Sequence, residues 1–240
     1  MVNSIDVHTG GVAGGSMIRA DNGKIIHVGP RSCHIANLSY VAFTKPENMV
    51  KAKVVQISPI EGDPSDYIAI ETQDGSRYAL TTTCAANALG YVQKGDYSYG
   101  YPESCQKAFK ALGNFLNMEW KEAALGVLDN AASTCIEIIE NLSHKHKIEK
   151  SQISLVGGGG GAKVLLPRTA ELMGLQYQIA DQAEIISSIG VALAMVRDTV
   201  ERVIPNPTQE DIIKIREEAT DSVIQSGATP SSVEIQIEID

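Results

Sequence analysis

Short apolar segments separated by turn residues fill the first 80 residues and predict β-strands. Residues 16–19 and 24–28 flank an Asn-Gly pair, the dipeptide that favours a tight hairpin turn. Residues 54–57, 67–71 and 77–80 have the same strand-like pattern, and an Asp-Gly pair joins the last two. This half of the chain is therefore predicted to form an antiparallel sheet.

From residue 82 the apolar positions recur every three to four residues, which predicts helices at 83–92, 104–116 and 117–146. Asn117 is expected to cap the last of these. Strands at 153–156 and 176–180 alternate with helices at 162–173, 186–203 and 209–226, an arrangement typical of parallel neighbouring strands. Residues 233–240 alternate apolar and polar side chains and predict a half-buried final strand.

These elements predict a single α/β domain over residues 1–240, with a mixed sheet and helices packed on it. A domain rarely finishes on an alternating strand without a partner. The expectation is therefore a chain truncated at both ends.

Charge and composition exclude several classes of partner. The net charge of −9 and the aromatic content of 5% disfavour a nucleic-acid surface. No apolar run approaches the length of a membrane span, and the first residues do not form a signal peptide. The four cysteines lack CxxC spacing and no metal site is predicted, so a cytoplasmic protein with free thiols is expected.

Five consecutive glycines follow the strand at 153–156 and precede the helix at 162–173. Strand, glycine turn and helix start together form a common phosphate-binding arrangement. The predicted binding residues are Gly157, Gly158, Gly159, Gly160, Gly161 and Ala162. A Walker A loop is excluded, because lysine does not follow the last glycine directly and no hydroxyl follows the lysine. A tight turn without any ligand is the simplest alternative.

A Rossmann-type dinucleotide site is a further alternative. Gly157, Gly159 and Ala162 have the spacing G-x-G-x-x-A, and Asp181 follows the next predicted strand.

A second glycine cluster covers residues 10–16 and precedes the first strand. Gly14, Gly15 and Ser16 are predicted to face phosphate, while the glycine segment at 157–161 holds the rest of the nucleotide. The alternative is a β-turn with bulges.

Several segments, taken together in order and spacing, resemble the hydantoinase/oxoprolinase family. The segments read VHTGGVAGGS at 7–16, VGPRS at 28–32, TTTCAAN at 81–87, LVGGGGGA at 155–162 and SSIG at 187–190, and the resemblance extends over about residues 5–205.

The resemblance implies a ribonuclease-H/actin-like ATPase lobe that uses ATP and Mg²⁺. It further implies ATP-coupled opening of a cyclic amide such as a hydantoin or 5-oxoproline. Under this interpretation Gly157 to Ala162 hold the adenosine of ATP, Gly14 to Ser16 face its phosphates, and Asp181 contacts its ribose. No catalytic residue is assigned.

One motif of the family is absent from the chain. The D-x-G-G-T phosphate loop of the first lobe is missing, and the nearest string, beginning at Asp6, has His8 where a glycine belongs. The chain is therefore expected to be the second lobe, with the first lobe supplied by a partner or a missing segment, in a homo-oligomer. The alternatives are an NAD- or FAD-binding Rossmann protein, or a non-catalytic regulatory or assembly module of the same fold.

Overall fold

A computed structural model describes residues 5–239 of the chain. They form two compact units, one reaching Ser187 and the other beginning at Ser188. The strands are β1 (Ser16–Asp21), β2 (Lys24–Ser32), β3 (Ser39–Tyr40), β4 (Lys53–Ile57), β5 (Tyr67–Glu71), β6 (Arg77–Ala79), β7 (Leu155–Gly157) and β8 (Tyr177–Ile179). The helices are α1 (Thr82–Leu89), α2 (Pro102–Leu116), α3 (Trp120–His146), α4 (Ala162–Met173), α5 (Ile186–Leu193) and α6 (Gln209–Gln225), and short 3-10 turns lie between some of them.

The predicted hairpin is confirmed. Strands β1 and β2 pair antiparallel, with Asp21 opposite Lys24, and Asn22 and Gly23 turn the chain with positive φ angles. An Asn-Gly pair suits this turn because both residues tolerate the left-handed conformation.

Strand β5 lies at the centre of a six-stranded mixed sheet. It pairs antiparallel with β4 along its whole length, with β6, and at Tyr67 with β1. The two-residue strand β3 lies parallel to β6 at the edge. The apolar side chains of β5 are buried, which is why this strand reads as a continuous apolar run.

Helices α1, α2 and α3 pack with this sheet around one hydrophobic core. Helix α3 buries Ala123, Val127 and Ala131, spaced four residues apart, so that one stripe of the helix faces the core. Small side chains on α1 and α3 let the helices approach closely. Val164 of α4 belongs to the same core, which fixes α4 against the first part of the chain.

A second sheet contains only β7 and β8, which are parallel and connected through α4. This is the strand, helix and parallel strand that the sequence predicts, and α4 has the predicted bounds of 162–173. This strand–helix–strand motif places the five glycines where β7 ends and α4 begins, with Gly157 as the last residue of β7.

The second unit differs from the prediction in two places. Helix α5 ends at Leu193 instead of reaching 203, and its last residues and those beyond are exposed, with Val191 at 77% and Met195 at 91%. A short helix needs a surface to pack on, and a segment whose apolar side chains stay exposed gains little by remaining helical.

The predicted strand at 233–240 is not formed over its described residues, 233–239. An alternating segment becomes a strand only when another strand supplies its hydrogen bonds, and none pairs with it in the described chain.

The predicted cap at Asn117 is also wrong. Asn117 ends α2 in the left-handed conformation, with φ of 56°, and α3 begins at Trp120 after Glu119. Asparagine is common at both ends of helices, so its presence alone does not distinguish a start from a stop.

Candidate functional site

The two glycine segments of the sequence meet in the folded chain. A Cβ atom placed on Gly161 would lie 3.4 Å from the backbone nitrogen of Gly14 and 3.8 Å from its Cα. Gly14 lies beside the start of α1 and Gly161 directly precedes α4. The contact therefore brings two glycine backbones and two helix N-termini together in one place.

Threonine side chains hold the first glycine segment on α1. Thr82 Oγ1 donates a hydrogen bond to the Ala13 carbonyl at 2.6 Å. Thr83 donates twice to the Gly14 carbonyl, from its backbone nitrogen at 3.0 Å and from Oγ1 at 2.8 Å. The threonine run at 81–83 was noted only as part of the family resemblance, and its role in fixing the loop was missed. Three hydroxyl residues at a helix start were the available signal.

Ser16 closes the turn that Gly14 and Gly15 form. Its Oγ accepts a hydrogen bond from the Ala13 nitrogen at 2.8 Å, and its own nitrogen donates to the Ala13 carbonyl. The residue is only 3% exposed. The structure thus places the Ser16 hydroxyl inside the turn.

The close neighbours of Gly15 leave no room for a side chain at this position. A Cβ there would lie 2.5 Å from the Tyr40 hydroxyl and 3.7 Å from the Cys33 sulfur. Burial raises the pKa of the Cys33 thiol, which keeps it neutral. Gly15 therefore lies against the Tyr40 hydroxyl and the buried, neutral Cys33 thiol.

The second glycine segment begins with a packing contact. A Cβ on Gly157 would lie 2.7 Å from Leu166 Cδ2 and 3.1 Å from Ala162 Cβ, so glycine lets β7 and α4 approach closely. Gly157 and Ala162 are both buried. These two buried residues therefore allow the close packing of β7 on α4 that the turn requires.

The middle of the segment makes the turn itself. Gly159 has a φ of +87°, which favours glycine, and its nitrogen donates to the Ala183 carbonyl at 2.6 Å. Gly158 is exposed, and a Cβ on it would lie 3.0 Å from Cγ2 of Ile186. The bond to Ala183 also brings the turn that contains Asp181 towards the glycines.

Asp181 follows β8 by two residues and is exposed. Because β8 is parallel to β7, the turn after each strand lies at the same edge of the small sheet. The structure therefore places Asp181 at the edge where the glycine segment also lies, a position that the Rossmann alternative predicts.

The last two glycines lie at the start of α4. A Cβ on Gly160 would lie 2.5 Å from Cδ1 of Tyr97. Gly161 is the residue before the helix, and no side chain caps the helix start with a hydrogen bond. In the first turn of α4 the Ala162 and Val164 nitrogens donate to the Gly159 and Gly161 carbonyls at 3.1 and 3.0 Å, and the positive end of the helix dipole still favours an anion nearby.

Lys163 and Asp96 form an ion pair beside this helix start. The Lys163 ammonium donates to Asp96 Oδ1, while the Gln93 nitrogen donates to Oδ2 at 2.8 Å. Burial works against ionisation of Asp96, but these hydrogen bonds outweigh it and lower its pKa. Neither residue was selected from the sequence, although Lys163 is the second residue of the helix after the glycines.

Other candidate sites lie apart from the glycine segments. A groove of about 610 Å³ runs between the hairpin turn at Gly23 and α3, and Asn130 Oδ1 is buried in it without a hydrogen-bond partner among the described residues. Within residues 5–239, no group of three or more His, Cys, Asp or Glu side chains could hold a metal ion. No helix in that range is both long and apolar enough to span a bilayer.

Comparisons with known proteins agree on the type of fold. A structural neighbour is acetone carboxylase, which carboxylates acetone in an ATP-dependent reaction, in its nucleotide-free structure. The TM-score is 0.54 at 18% sequence identity, and the match covers 89% of this chain and 28% of that chain. The likeness is one of fold and confirms the predicted α/β architecture, a mixed sheet with packed helices.

The family assignment comes from a different comparison. No curated protein matches the chain. The family model described as hydantoinase/oxoprolinase matches residues 1–200, which is most of the sequence. The chain therefore belongs to the hydantoinase/oxoprolinase family.

Proposed function

We propose that this chain is the nucleotide-binding part of an ATP-dependent enzyme that opens cyclic amides of the hydantoin or 5-oxoproline type. The observation that carries the proposal is the contact between Gly14 and Gly161. ATP, when bound, supplies the phosphoryl group that makes the amide carbon a better target for water. The described residues bind and orient the nucleotide.

The glycine contact fits a phosphate-bearing ligand for two reasons. Neither α1 nor α4 has a side chain that caps its start by a hydrogen bond, but the Gly14 carbonyl accepts from the first turn of α1, so α4 is the helix that directs its positive end towards a ligand. Gly161 also carries no Cβ, so no side chain of its own shields the start of α4 from a ligand, whereas Thr83 and Tyr97 fill the space beside Gly14 and Gly160. Together these features form a backbone cradle for part of a nucleotide.

The charges near the cradle are few but suitably placed. Lys163 lies one residue inside α4, and its side chain is 43% exposed although it pairs with Asp96. A bound phosphate would compete with Asp96 for this ammonium group. Mg²⁺ typically binds through one or two carboxylates together with phosphate oxygens and water, so it requires no preformed cluster of protein ligands. Asp96 and Asp181 are the nearby candidates.

The chain accounts for part of the proposed enzyme. It spans 28% of the acetone carboxylase chain that it resembles. We therefore propose that a first lobe with a D-x-G-G-T phosphate loop closes the nucleotide site from the other side. Substrate binding and the chemical step belong to the assembled protein.

Isothermal titration of the chain with ATP in the presence of Mg²⁺ tests the proposal. ATP is expected to bind, whereas NAD is not. Binding of NAD without ATP would instead favour the Rossmann interpretation, which the position of Asp181 also allows. If neither binds, the proposal fails for this chain alone, and the chain is either a lobe that needs its first lobe to bind a nucleotide or a non-catalytic module of this fold.

A matched pair of variants localises the binding. Gly161→Asn and Gly161→Asp add side chains of nearly equal size at a position where the nearest neighbour is the Gly14 nitrogen at 3.4 Å. Both variants should fold with similar stability. A carboxylate next to phosphate costs about 1 kcal/mol in water and more where water is excluded, so the aspartate variant should bind ATP at least about 5-fold more weakly than the asparagine variant. Equal ATP affinities of the two variants would show that the start of α4 is not part of the binding site.

A further inference from the structure

We propose that Tyr97 is a stacking platform for the base of the nucleotide bound at the glycine segments. This inference rests on the proposed function and names a residue that would determine how the base is held. Neither the glycine spacing nor the family motifs point to this tyrosine.

Tyr97 meets the glycine segment with one edge of its ring. A Cβ placed on Gly160 would lie 2.5 Å from Cδ1 and 2.6 Å from Cε1, but 3.6 Å from Cγ. The residue is nevertheless 75% exposed, compared with 40% for Tyr101 and 45% for Tyr177. A ring that is fixed at one edge and exposed elsewhere has a face available for a planar ligand.

The loop that carries Tyr97 is held on both sides. On one side Asp96 pairs with Lys163 of α4 and accepts a bond from the Gln93 nitrogen. On the other side the buried Asn87 side chain donates to the Ser98 carbonyl at 2.9 Å. Tyr97 is therefore fixed by its two sequence neighbours to two different helices, although its own ring makes little contact.

Asn87 strengthens this attachment. It is 1% exposed, donates to the Thr83 carbonyl at 2.9 Å and accepts a bond from the Gly100 nitrogen at 2.8 Å. The same helix thus holds the Tyr97 loop and, through Thr83, the Gly14 loop. An exposed aromatic ring presented by a firmly attached loop loses little conformational freedom on binding.

The chemistry of the ring favours a base over a phosphate. A neutral phenol offers no charge to an anion, whereas an aromatic face stacks on any base. The cradle for phosphate lies beside it at Gly161 and Gly14, so one ligand with an anionic end and a flat end would use both features. A nucleotide is such a ligand.

Titrations with two ligands separate this inference from the proposed function. ATP and inorganic tripolyphosphate, each with Mg²⁺, are titrated into the chain and into its Tyr97→Ala and Tyr97→Phe variants. Removing the ring should weaken ATP binding by about 5- to 150-fold, the range found when stacked aromatic residues are replaced by alanine. Tripolyphosphate affinity should not change. The phenylalanine variant should bind ATP like the original chain.

Each outcome has one meaning. If the original chain binds ATP and Tyr97→Ala binds it equally well, the stacking role is wrong and the proposed function stands. If the alanine variant loses ATP and tripolyphosphate to the same extent, Tyr97 shapes the cradle and does not stack on a base. If it binds both more tightly, the ring blocks the site. If the original chain binds neither ligand, the proposed function fails and this inference fails with it.

Gly160→Ala provides an independent check. Its methyl group would push the ring edge from its present position, so ATP binding should weaken while tripolyphosphate binding persists. Combining Gly160→Ala with Tyr97→Ala should give no further loss of ATP affinity, because the ring is then absent. A fully additive loss would contradict the edge contact as the cause. Similar thermal unfolding temperatures for the single Tyr97 variants would exclude a general loss of structure.

Discussion

The attachment of the Gly14 loop to α1 gives a sharp test of the site geometry. In the variant Gly14→Ala the new methyl carbon would lie 2.8 Å from Thr83 Oγ1, closer than such atoms normally approach. This hydroxyl donates to the Gly14 carbonyl at 2.8 Å, and Thr83 is 4% exposed. The side chain therefore cannot move away without breaking its hydrogen bond inside a packed region.

The cost can be bounded from these contacts. Forcing an extra methyl group into a packed site typically costs about 1 to 3 kcal/mol. Loss of the Thr83 hydrogen bond alone typically costs about 0.5 to 1.5 kcal/mol. We therefore expect Gly14→Ala to lower the free energy of unfolding by about 1 to 3 kcal/mol, and Thr83→Ala to lower it by about 1 kcal/mol.

The combined variants distinguish the cause. In Gly14→Ala/Thr83→Ala the colliding oxygen is gone, so the double variant should be about as stable as Thr83→Ala alone. Thr83→Val removes the same hydrogen bond but keeps a group of similar size. It should not rescue Gly14→Ala. ATP affinity should follow the same order, because the loop positions Gly14 against Gly161.

Urea unfolding, monitored by the fluorescence of Trp120, measures these changes in the free energy of unfolding. Trp120 is the only tryptophan of the sequence and lies in the unit that contains the site. With a slope of about 3 kcal/mol per molar urea, the expected loss shifts the midpoint by about 0.3 to 1 M. Additivity of the Gly14→Ala and Thr83→Ala effects within about 0.5 kcal/mol would refute the proposed collision. Equal rescue by alanine and valine would refute it as well.

Other contacts give further expected outcomes. Gly157→Ala should lower the free energy of unfolding by about 1 to 3 kcal/mol, measured by urea, because its methyl would overlap Leu166. Gly159→Ala should cost about 1 to 2 kcal/mol in the same assay through its positive φ alone, and Gly159→Asn less. The Arg19 guanidinium holds the pKa of Asp66 below its usual 3.8, so the pair stabilises the fold above that pH and loses its contribution as pH falls through the lower folded value. Asp66→Asn should therefore reduce stability at pH 7 and flatten its decline below pH 4, as followed by thermal unfolding at stepped pH. An unchanged slope in that variant would show that other carboxylates cause the decline.

Local patterns predicted most elements of the first unit correctly. The hairpin at Asn22 and Gly23, the strand β5 and the helix α4 follow from turn residues, apolar runs and helical spacing, all of which act over a few residues. The mixed sheet with packed helices was also predicted, and the fold comparison confirms it. These features depend on interactions that are encoded nearby in the chain.

The two errors near the end of the chain have a common physical cause. Residues 233–239 alternate apolar and polar side chains but have no strand beside them in the described chain. The apolar side chains of Val191, Leu193 and Met195 are exposed, and no other described part of the chain covers them. In both places the local pattern indicates which element the segment could form. Whether the element forms depends on a partner outside the segment.

The site was predicted in outline but not in its supporting contacts. Both glycine segments were expected to face one nucleotide, and the structure places Gly14 and Gly161 in contact. Their role in binding remains a prediction. Thr83, Asp96 and Tyr97 were not selected, because each acts through a contact with a distant part of the chain that sequence spacing does not reveal.

The contacts of the five glycines also change which of them support a ligand. Gly157 is explained by strand–helix packing and Gly159 by its positive φ, so both would be needed in a protein that binds nothing. The length of the glycine run therefore overstates the number of binding residues. Gly161 is different, because it precedes an uncapped helix and faces a second glycine, Gly14, that comes from a remote segment. Packing one strand on one helix does not require that meeting, so Gly161 is the glycine of the run on which the proposed phosphate site depends.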